Sequence, residues 1–92
     1  MSEDPLETII EQTINGAMAT IPSYLEEIKE NKEIFNVENP KEFVYGVVMG
    51  MALGMSGAIL SAQKETPTQE DQIKVRDIVY KYIPEIRERI FS

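Results

Sequence analysis

One serine and one lysine stand at the spacing that serine acyl-enzymes use. Ser61 and Lys64 form an S-x-x-K sequence, in which a helix brings the lysine amine near the serine hydroxyl. The Ser-Asp-Asn and Lys-Thr-Gly partners of that chemistry are missing, and the chain contains no His or Cys to act as base, nucleophile or thiolate ligand. We therefore interpret Ser61 as a packing residue and Lys64 as a charge near a helix C-terminus, and we expect no enzymatic activity.

Four carboxylates follow one another at helical spacing in the first half of the chain: Glu26, Glu27, Glu30 and Glu33. Carboxylates three and four residues apart share a helical face and could hold a hard cation such as Mg²⁺ or Ca²⁺. Lys29 and Lys32 interleave with them, however, as in ordinary ion pairs along an exposed helix. We predict no metal site, and because the sequence contains no glycine-rich phosphate loop, EF-hand loop or zinc spacing, we expect no cofactor.

The C-terminal part of the chain carries most of the bases and two of the tyrosines: Lys74, Arg76, Tyr80, Lys81, Tyr82, Arg87 and Arg89. A helix of this composition could lie on the phosphates of a nucleic acid. Acids at Asp77, Glu85 and Glu88 cancel these bases locally, and the net charge of −7 repels phosphate backbones. We therefore expect no nucleic-acid binding and predict that the bases pair with the acidic first helices of the same or a neighbouring chain.

The excess negative charge lies at the N-terminal side of the chain. Residues 1–39 hold nine acids against Lys29 and Lys32, whereas residues 66–92 hold five acids and five bases. Such a surface keeps a small protein soluble and would attract a basic protein partner. Residues 1–4 are polar and acidic, without the positive region and apolar stretch of a secretory signal, so we expect a cytoplasmic protein.

Helix-start signals recur along the chain. Asp4, Asn39 and Thr66 each precede a proline and a Glu or Gln at the third position after the cap, and Ser23 opens a fourth capping box just after Pro22. A chain of 92 residues has room for one core. We predict one all-α domain over residues 1–92, a small bundle of three to four helices roughly at 5–20, 23–34, 40–64 and 67–91.

Apolar side chains in the first and last segments repeat every three or four residues, as in helices that bury one face. The first stripe contains Leu6, Ile9, Ile10, Ile14, Ala17, Met18 and Ile21, and the last contains Val75, Ile78, Val79, Tyr82, Ile83, Ile86 and Ile90. Proline removes a helical hydrogen bond. Pro84 is therefore expected to bend the last helix, while Pro22 either breaks or kinks the first.

The middle of the chain is different, because residues 43–63 are 21 consecutive residues without a charge. A helix that is apolar on all sides is either the centre of an assembly or a membrane span. Lys41 and Lys64 flank the segment at opposite ends, so the flanking charges give no orientation bias, and no Trp marks a membrane interface. Three methionines, Met49, Met51 and Met55, are interpreted as core-filling side chains rather than as a binding groove.

Small residues run through this segment at four-residue steps. Each interior glycine costs about 0.8–1 kcal/mol of helix propensity relative to Ala, unless something packs closely against it. The row forms an i±4 groove, which favours a close helix crossing. We predict an oligomer interface at Gly46, Gly50, Gly54, Gly57, Ala58 and Ala62; in the alternative, the groove accepts the first or last helix of the same chain.

The predicted central helix is also long for the size of the protein. A helix over residues 40–64 measures about 37 Å, whereas a compact domain of this length has a radius of gyration of about 12 Å. Its apolar end would protrude, and further copies of the chain are the simplest cover, in a homodimer or a dimer of dimers. The sequence thus favours a non-enzymatic, self-associating helical protein that serves as an interaction or scaffold module, and the alternative is a small membrane protein spanning through residues 43–63.

Overall fold

A computed structural model describes residues 5–92, and within that range the chain forms helices and no strands. The all-α prediction is confirmed, with one long central helix that is rich in glycine and apolar residues. The helices are α1 (Pro5–Ala19), α2 (Ile21–Glu30), α3 (Lys32–Phe35), α4 (Pro40–Gln63), α5 (Gln69–Lys81) and α6 (Ile83–Phe91).

The start of α4 agrees with the predicted cap. Asn39 lies in an extended conformation, and its side-chain oxygen accepts a hydrogen bond from the backbone N–H of Glu42 at 3.2 Å. Pro40 follows as the first helical residue, where its missing N–H leaves no bond unmade. The Glu42 carboxylate pairs with Arg87 of α6 at 3.1 Å instead of completing the predicted capping box.

The predicted cap at Thr66 is wrong, because α5 begins two residues later. Thr68 accepts from the N–H of Asp71 at 3.1 Å, and the Asp71 carboxylate accepts from the N–H of Thr68 at 2.9 Å. An aspartate at this position supplies a charged acceptor near the positive helix N-terminus, whereas a cap at Thr66 would offer only the neutral amide of Gln69. The predicted cap at Asp4 lies outside the described residues.

The predicted cap at Ser23 is wrong as well. Thr20 lies between α1 and α2 with φ −82° and ψ −9°, so the chain remains close to helical conformation and α2 already begins at Ile21. The Thr20 hydroxyl donates to the carbonyl of Ala17 at 2.6 Å. Pro22 therefore interrupts the first rod for one residue and leaves two helical segments.

An Ile-Pro sequence divides the last helical segment in the same way. Tyr82 has φ −92° and ψ −3°, and Ile83 and Pro84 open α6. The single helix predicted over 67–91 is thus two helices, and the interruption falls at Tyr82, two residues before Pro84. In both cases the interruption is the residue two positions before the proline. Proline has no backbone N–H, so one helical hydrogen bond of the next turn is lost.

The hydrophobic core is built around α4, which contacts α1, α2, α5 and α6, while α1 also contacts α5. Outside α4 its buried side chains are those of α1 (Ile10, Ile14, Ala17, Met18), α2 (Ile21, Ile28), α5 (Val75, Ile78, Val79) and α6 (Ile86, Ile90). The molecule measures 45 × 27 × 17 Å, and its radius of gyration is 14.9 Å. A compact chain of this length would have about 12 Å, so the bundle is elongated along its long helices.

Polar contacts hold both ends of α4. At the N-terminal end, the Arg87 guanidinium lies over the rings of Tyr45 and Phe91, 4.8 and 4.5 Å from their centroids, in addition to its ion pair with Glu42. At the C-terminal end, Lys64 pairs with Asp71 at 2.9 Å. These contacts keep α6 at the start of α4 and the beginning of α5 at its end.

Candidate interaction surface: the outer side of α4

The side chains of α4 fall into four rows of four-residue spacing. A step of four residues advances about 40° around a helix of 3.6 residues per turn, so the rows wind slowly together and lie about 90° apart. Two opposite rows are named here by their members. The inner row contains Val44, Val48, Ala52, Ser56 and Leu60, and the glycine row contains Gly46, Gly50, Gly54, Ala58 and Ala62.

The inner row is the buried side of α4, and all five of its members are at most 3% exposed. They are also the complete set of buried residues in this helix. Since α1, α2, α5 and α6 all contact α4, these four helices must lie on the side of the inner row. The chain therefore covers one side of its central helix and leaves the opposite side to solvent.

The glycine row lies on that uncovered side, which we call the outer side of α4, and all five members of the row are exposed. A Cβ atom placed on Gly46, Gly50 or Gly54 would meet no atom within 4 Å beyond its own helical neighbourhood. The alternative in which another helix of this chain occupies the groove is thus wrong for the described residues. Gly57 also faces open space but belongs to an adjacent row, so the structure places five of the six predicted interface residues together.

Large apolar side chains border the glycine row on one side. We call them the ridge row: Phe43, Val47, Met51, Met55 and Ile59. Phe43 is 39% exposed and Met55 is 49% exposed, while the other three are partly buried. The interpretation of all three methionines as core filling is therefore wrong for Met55, and sequence reasoning missed a signal that was present, because the ridge row repeats at the same four-residue spacing as the glycines.

The row on the other side of the glycines is less regular. We call it the mixed row: Tyr45, Met49, Leu53, Gly57 and Ser61. It begins with three large side chains, of which Leu53 is 37% exposed, and ends in two small ones. Consequently only the ridge row presents large apolar side chains over the whole length of α4.

The uncovered side carries a free-energy cost that contacts inside the chain do not offset. Three glycines of the row sit in the interior of α4, and each costs about 0.8–1 kcal/mol relative to Ala. Apolar side chains beside them remain in contact with water. A surface of this kind is typical of a protein that buries it against a partner or a membrane.

By length and composition, α4 also meets the criterion for a membrane span. Core helices of soluble proteins meet the same criterion, but those are mostly buried, whereas 28% of the most apolar window of α4 is buried. The exposed side of α4 therefore fits both interpretations of residues 43–63, the centre of an assembly and a membrane span.

The residues considered for catalysis and metal binding all lie on the surface of the protein. Lys64 pairs with the carboxylate of Asp71, and Ser61 is exposed at the end of the mixed row. Glu26, Glu27 and Glu30 are exposed on α2, and within residues 5–92 no group of three or more acidic side chains is placed to hold a metal ion.

Within residues 5–92, the predicted pairing of a C-terminal base with the first helices occurs where Lys81 approaches Glu7 of α1 at 3.6 Å. Arg76 and Arg89 pair with acids of their own helices, Asp77 and Glu85. Arg87 pairs with α4. Of these four bases, two join different helices and two pair within one helix.

Ser56 is a polar residue that sequence reasoning did not single out. It is fully buried in the inner row, and its hydroxyl has no hydrogen-bond partner within the described residues. Together with Ala52 it makes the inner row small at mid-helix, where the neighbouring helices can approach α4 closely. Its role is in packing.

Comparison with known proteins returned no matching family, curated protein or solved structure.

Proposed function

We propose that this protein is a non-enzymatic, self-associating helical module that uses the outer side of α4 as its interface and serves as an interaction or scaffold element. The observation that carries the proposal is that all five members of the glycine row are exposed beside a ridge of apolar side chains. Energetics support the proposal, because burying an exposed apolar surface along a whole helix is favourable.

The arrangement of charge also supports association on this side. Residues 1–39 hold the whole excess of acids, and the helices formed from them, α1 and α2, pack on the inner row of α4. The outer side has no charge from Phe43 to Gln63. Two copies can therefore meet there with little of the repulsion that a net charge of −7 produces elsewhere on the surface.

The side chains that could do chemistry are engaged in structural contacts, which supports a non-enzymatic role. Lys64, which would have to activate Ser61, donates to Asp71 at 2.9 Å. Arg87, the base most closely surrounded by aromatic rings, pairs with Glu42 at 3.1 Å. Both pairs join α4 to its neighbouring helices and hold the outer side in place.

The mass of the purified full-length chain in detergent-free buffer tests the proposal. Sedimentation equilibrium should give a mass that rises from 10.5 kDa toward twice that value as the concentration increases from about 1 µM to about 1 mM. A mass of 10.5 kDa at every concentration would contradict self-association. The Gly50→Asp variant is the matched control, because it adds a charge to the outer side without a clash inside the chain, and it should remain monomeric.

A membrane role is the competing function, and the apolar length of α4 favours it. Fractionation of cells that express the native chain separates the two. The self-association proposal expects the protein in the soluble fraction, whereas recovery from the membrane pellet only with detergent would overturn it.

A further inference from the structure

We propose that a cleft between α2 and the segment that joins α3 to α4 binds a small amphipathic carboxylate, such as a medium-chain fatty acid. The hydrocarbon chain lies in the cleft, and the carboxylate lies between the ammonium groups of Lys29 and Lys32. This inference goes beyond the proposed function, because it concerns a part of the molecule outside the proposed interface and does not depend on self-association.

The cleft forms where the chain passes from the N-terminal helices to α4. Asn36 ends α3 in the left-handed conformation, with φ 49° and ψ 49°, which asparagine adopts more readily than most residues. After this turn, Val37 and Pro40 line the same cleft as Leu25 and Ile28 of α2. Its volume is about 380 Å³, and cavities that hold small molecules measure about 300–1,000 Å³.

The interior of the cleft is apolar. Ile28 is buried in the core, while Leu25 and Val37 are partly buried. The exposed parts of these side chains can be covered by methylene groups, and the burial of apolar surface is favourable. The cleft therefore suits the hydrocarbon part of a ligand.

Two lysines stand at this cleft without an acidic partner. Lys29 and Lys32 both line it, and neither forms an ion pair with a carboxylate of residues 5–92. They are also the only bases among residues 1–39, which hold nine acids. The ion pairs that the sequence suggested with the neighbouring glutamates do not form, so both ammonium groups remain available to an anion.

The charge of the lining favours an anionic ligand. Among the described residues that line the cleft, Glu38 is the one acid, and the two lysines outweigh it. The larger groove between α1 and α5, with a volume of about 500 Å³, is lined by three acids and two bases: Glu7, Glu70, Asp77, Lys74 and Lys81. In a protein whose net charge is −7, a lining with excess positive charge complements a carboxylate.

Size and shape favour a small molecule over a protein or a membrane. Four apolar side chains line the cleft, whereas a stable protein interface buries about 1,200–2,000 Å². Membrane binding uses apolar side chains that project into the lipid, whereas these surround a concave space. A neutral apolar ligand would make no use of the two ammonium groups. A carboxylate at the end of a hydrocarbon chain matches both features of the cleft.

Titration of the isotope-labelled full-length chain with octanoate, below its micelle-forming concentration, tests the proposal by nuclear magnetic resonance. The backbone amide signals of Leu25, Ile28 and Val37 should shift, with a dissociation constant in the high-micromolar to millimolar range. Octan-1-ol lacks the charge and octylammonium carries the opposite one, so each should bind at least about threefold more weakly. Decanoate should bind about tenfold more tightly than octanoate, because it buries two further methylene groups.

A lysine double variant tests the position of the carboxylate. Lys29→Gln/Lys32→Gln should abolish the preference for octanoate over octan-1-ol while leaving the affinity for octan-1-ol unchanged. The matched control is Lys41→Gln/Arg76→Gln, which removes the same charge from two exposed positions outside the cleft and should retain the preference.

A variant of the cleft wall tests the position of the hydrocarbon chain. Val37→Asp places a carboxylate in the wall and should abolish octanoate binding. Val37 lies outside the helices and outside the core cluster, so circular dichroism should show native helicity.

The results that would overturn the inference are specific. They are equal affinity for octanoate and octylammonium, a preference that the lysine double variant retains, or no shift at about 10 mM octanoate. Shifts confined to the glycine row, with loss of binding in Gly50→Asp, would assign the hydrocarbon chain to the outer side of α4 and would also overturn it. None of these results changes the mass measured by sedimentation equilibrium, so this inference and the proposed function fail separately.

Discussion

The two opposite rows of α4 share a four-residue spacing and differ in what covers them. The inner row contains two valines and a leucine and is at most 3% exposed, whereas the glycine row, offset by two residues, is open along its length. Burial stabilises by roughly 25 cal/mol per Å² of apolar area, and glycines have no side-chain area to bury. The other helices of the chain therefore pack on the inner row, whose side chains are larger. The glycine row, where another helix could approach α4 most closely, remains exposed.

The largest difference in stability between the two rows should appear when an aspartate is placed on each of them. Val48→Asp puts an unpaired carboxylate at a position that is 0% exposed, which costs several kcal/mol and should abolish the fold. Gly50→Asp, two residues later, places the same carboxylate in open space, so the monomer should fold. Circular dichroism and thermal melting of both variants check this, and equal loss of helicity would show that the glycine row is packed within the chain.

Placing a leucine in each row should change the free energy of unfolding in opposite directions. Ala52 is 0% exposed, and Ala52→Leu should destabilise the chain by about 1–3 kcal/mol through overpacking. Gly50→Leu meets no atom within 4 Å at its Cβ and gains nearly 1 kcal/mol of helix propensity. Urea unfolding at low protein concentration should show a lower free energy of unfolding for Ala52→Leu and a higher one for Gly50→Leu.

Gly50→Leu should nevertheless lose assembly mass at high concentration, because the leucine occupies the proposed groove. The two measurements on one variant thus separate the monomer from its interface. A Gly50→Leu chain with unchanged mass and higher stability would place the interface elsewhere, and a less stable monomer would contradict the open groove.

The comparison also shows how far sequence reasoning reaches. The i+4 spacing of small residues identified the groove, and the cap at Asn39 set the start of α4, because both depend on local chemistry. The predicted cap at Thr66 is misplaced because Thr68, two residues later, forms a complete capping box with Asp71. The predicted cap at Ser23 is misplaced because the backbone stays near helical conformation at Thr20, so that α2 already begins at Ile21. Whether the groove is filled depends on which row the other helices cover, and that is settled by tertiary packing rather than by the spacing of α4.

A smaller effect on stability is expected when the one buried hydroxyl of the inner row is removed. The Ser56 oxygen has no partner among the described residues, and removing an unsatisfied buried polar group gains about 1 kcal/mol. Ser61→Ala is the matched control, because Ser61 is exposed on the same helix and shares the gain in helix propensity. Chemical unfolding should therefore show Ser56→Ala to be more stable than Ser61→Ala by about 1 kcal/mol, and equal stabilities would mean that the hydroxyl is satisfied.

The smallest effect is expected at the C-terminal end of α4, where α5 turns back to the side of the inner row. The backbone N–H of Thr68, and then the Lys64 ammonium, lower the pKa of the Asp71 carboxyl from 3.8 to about 2. Because the pKa is depressed in the folded state, the carboxylate stabilises the fold above about pH 4, and this contribution is lost as the pH falls through 2. Asp71→Asn should therefore melt below the wild type at pH 6, and the melting temperatures should converge between pH 4 and 2. The variant retains a side-chain acceptor for the cap but loses the charge, so a difference in melting temperature that does not shrink between pH 4 and 2 would mean that the ion pair and its titration do not hold α5 against the inner row.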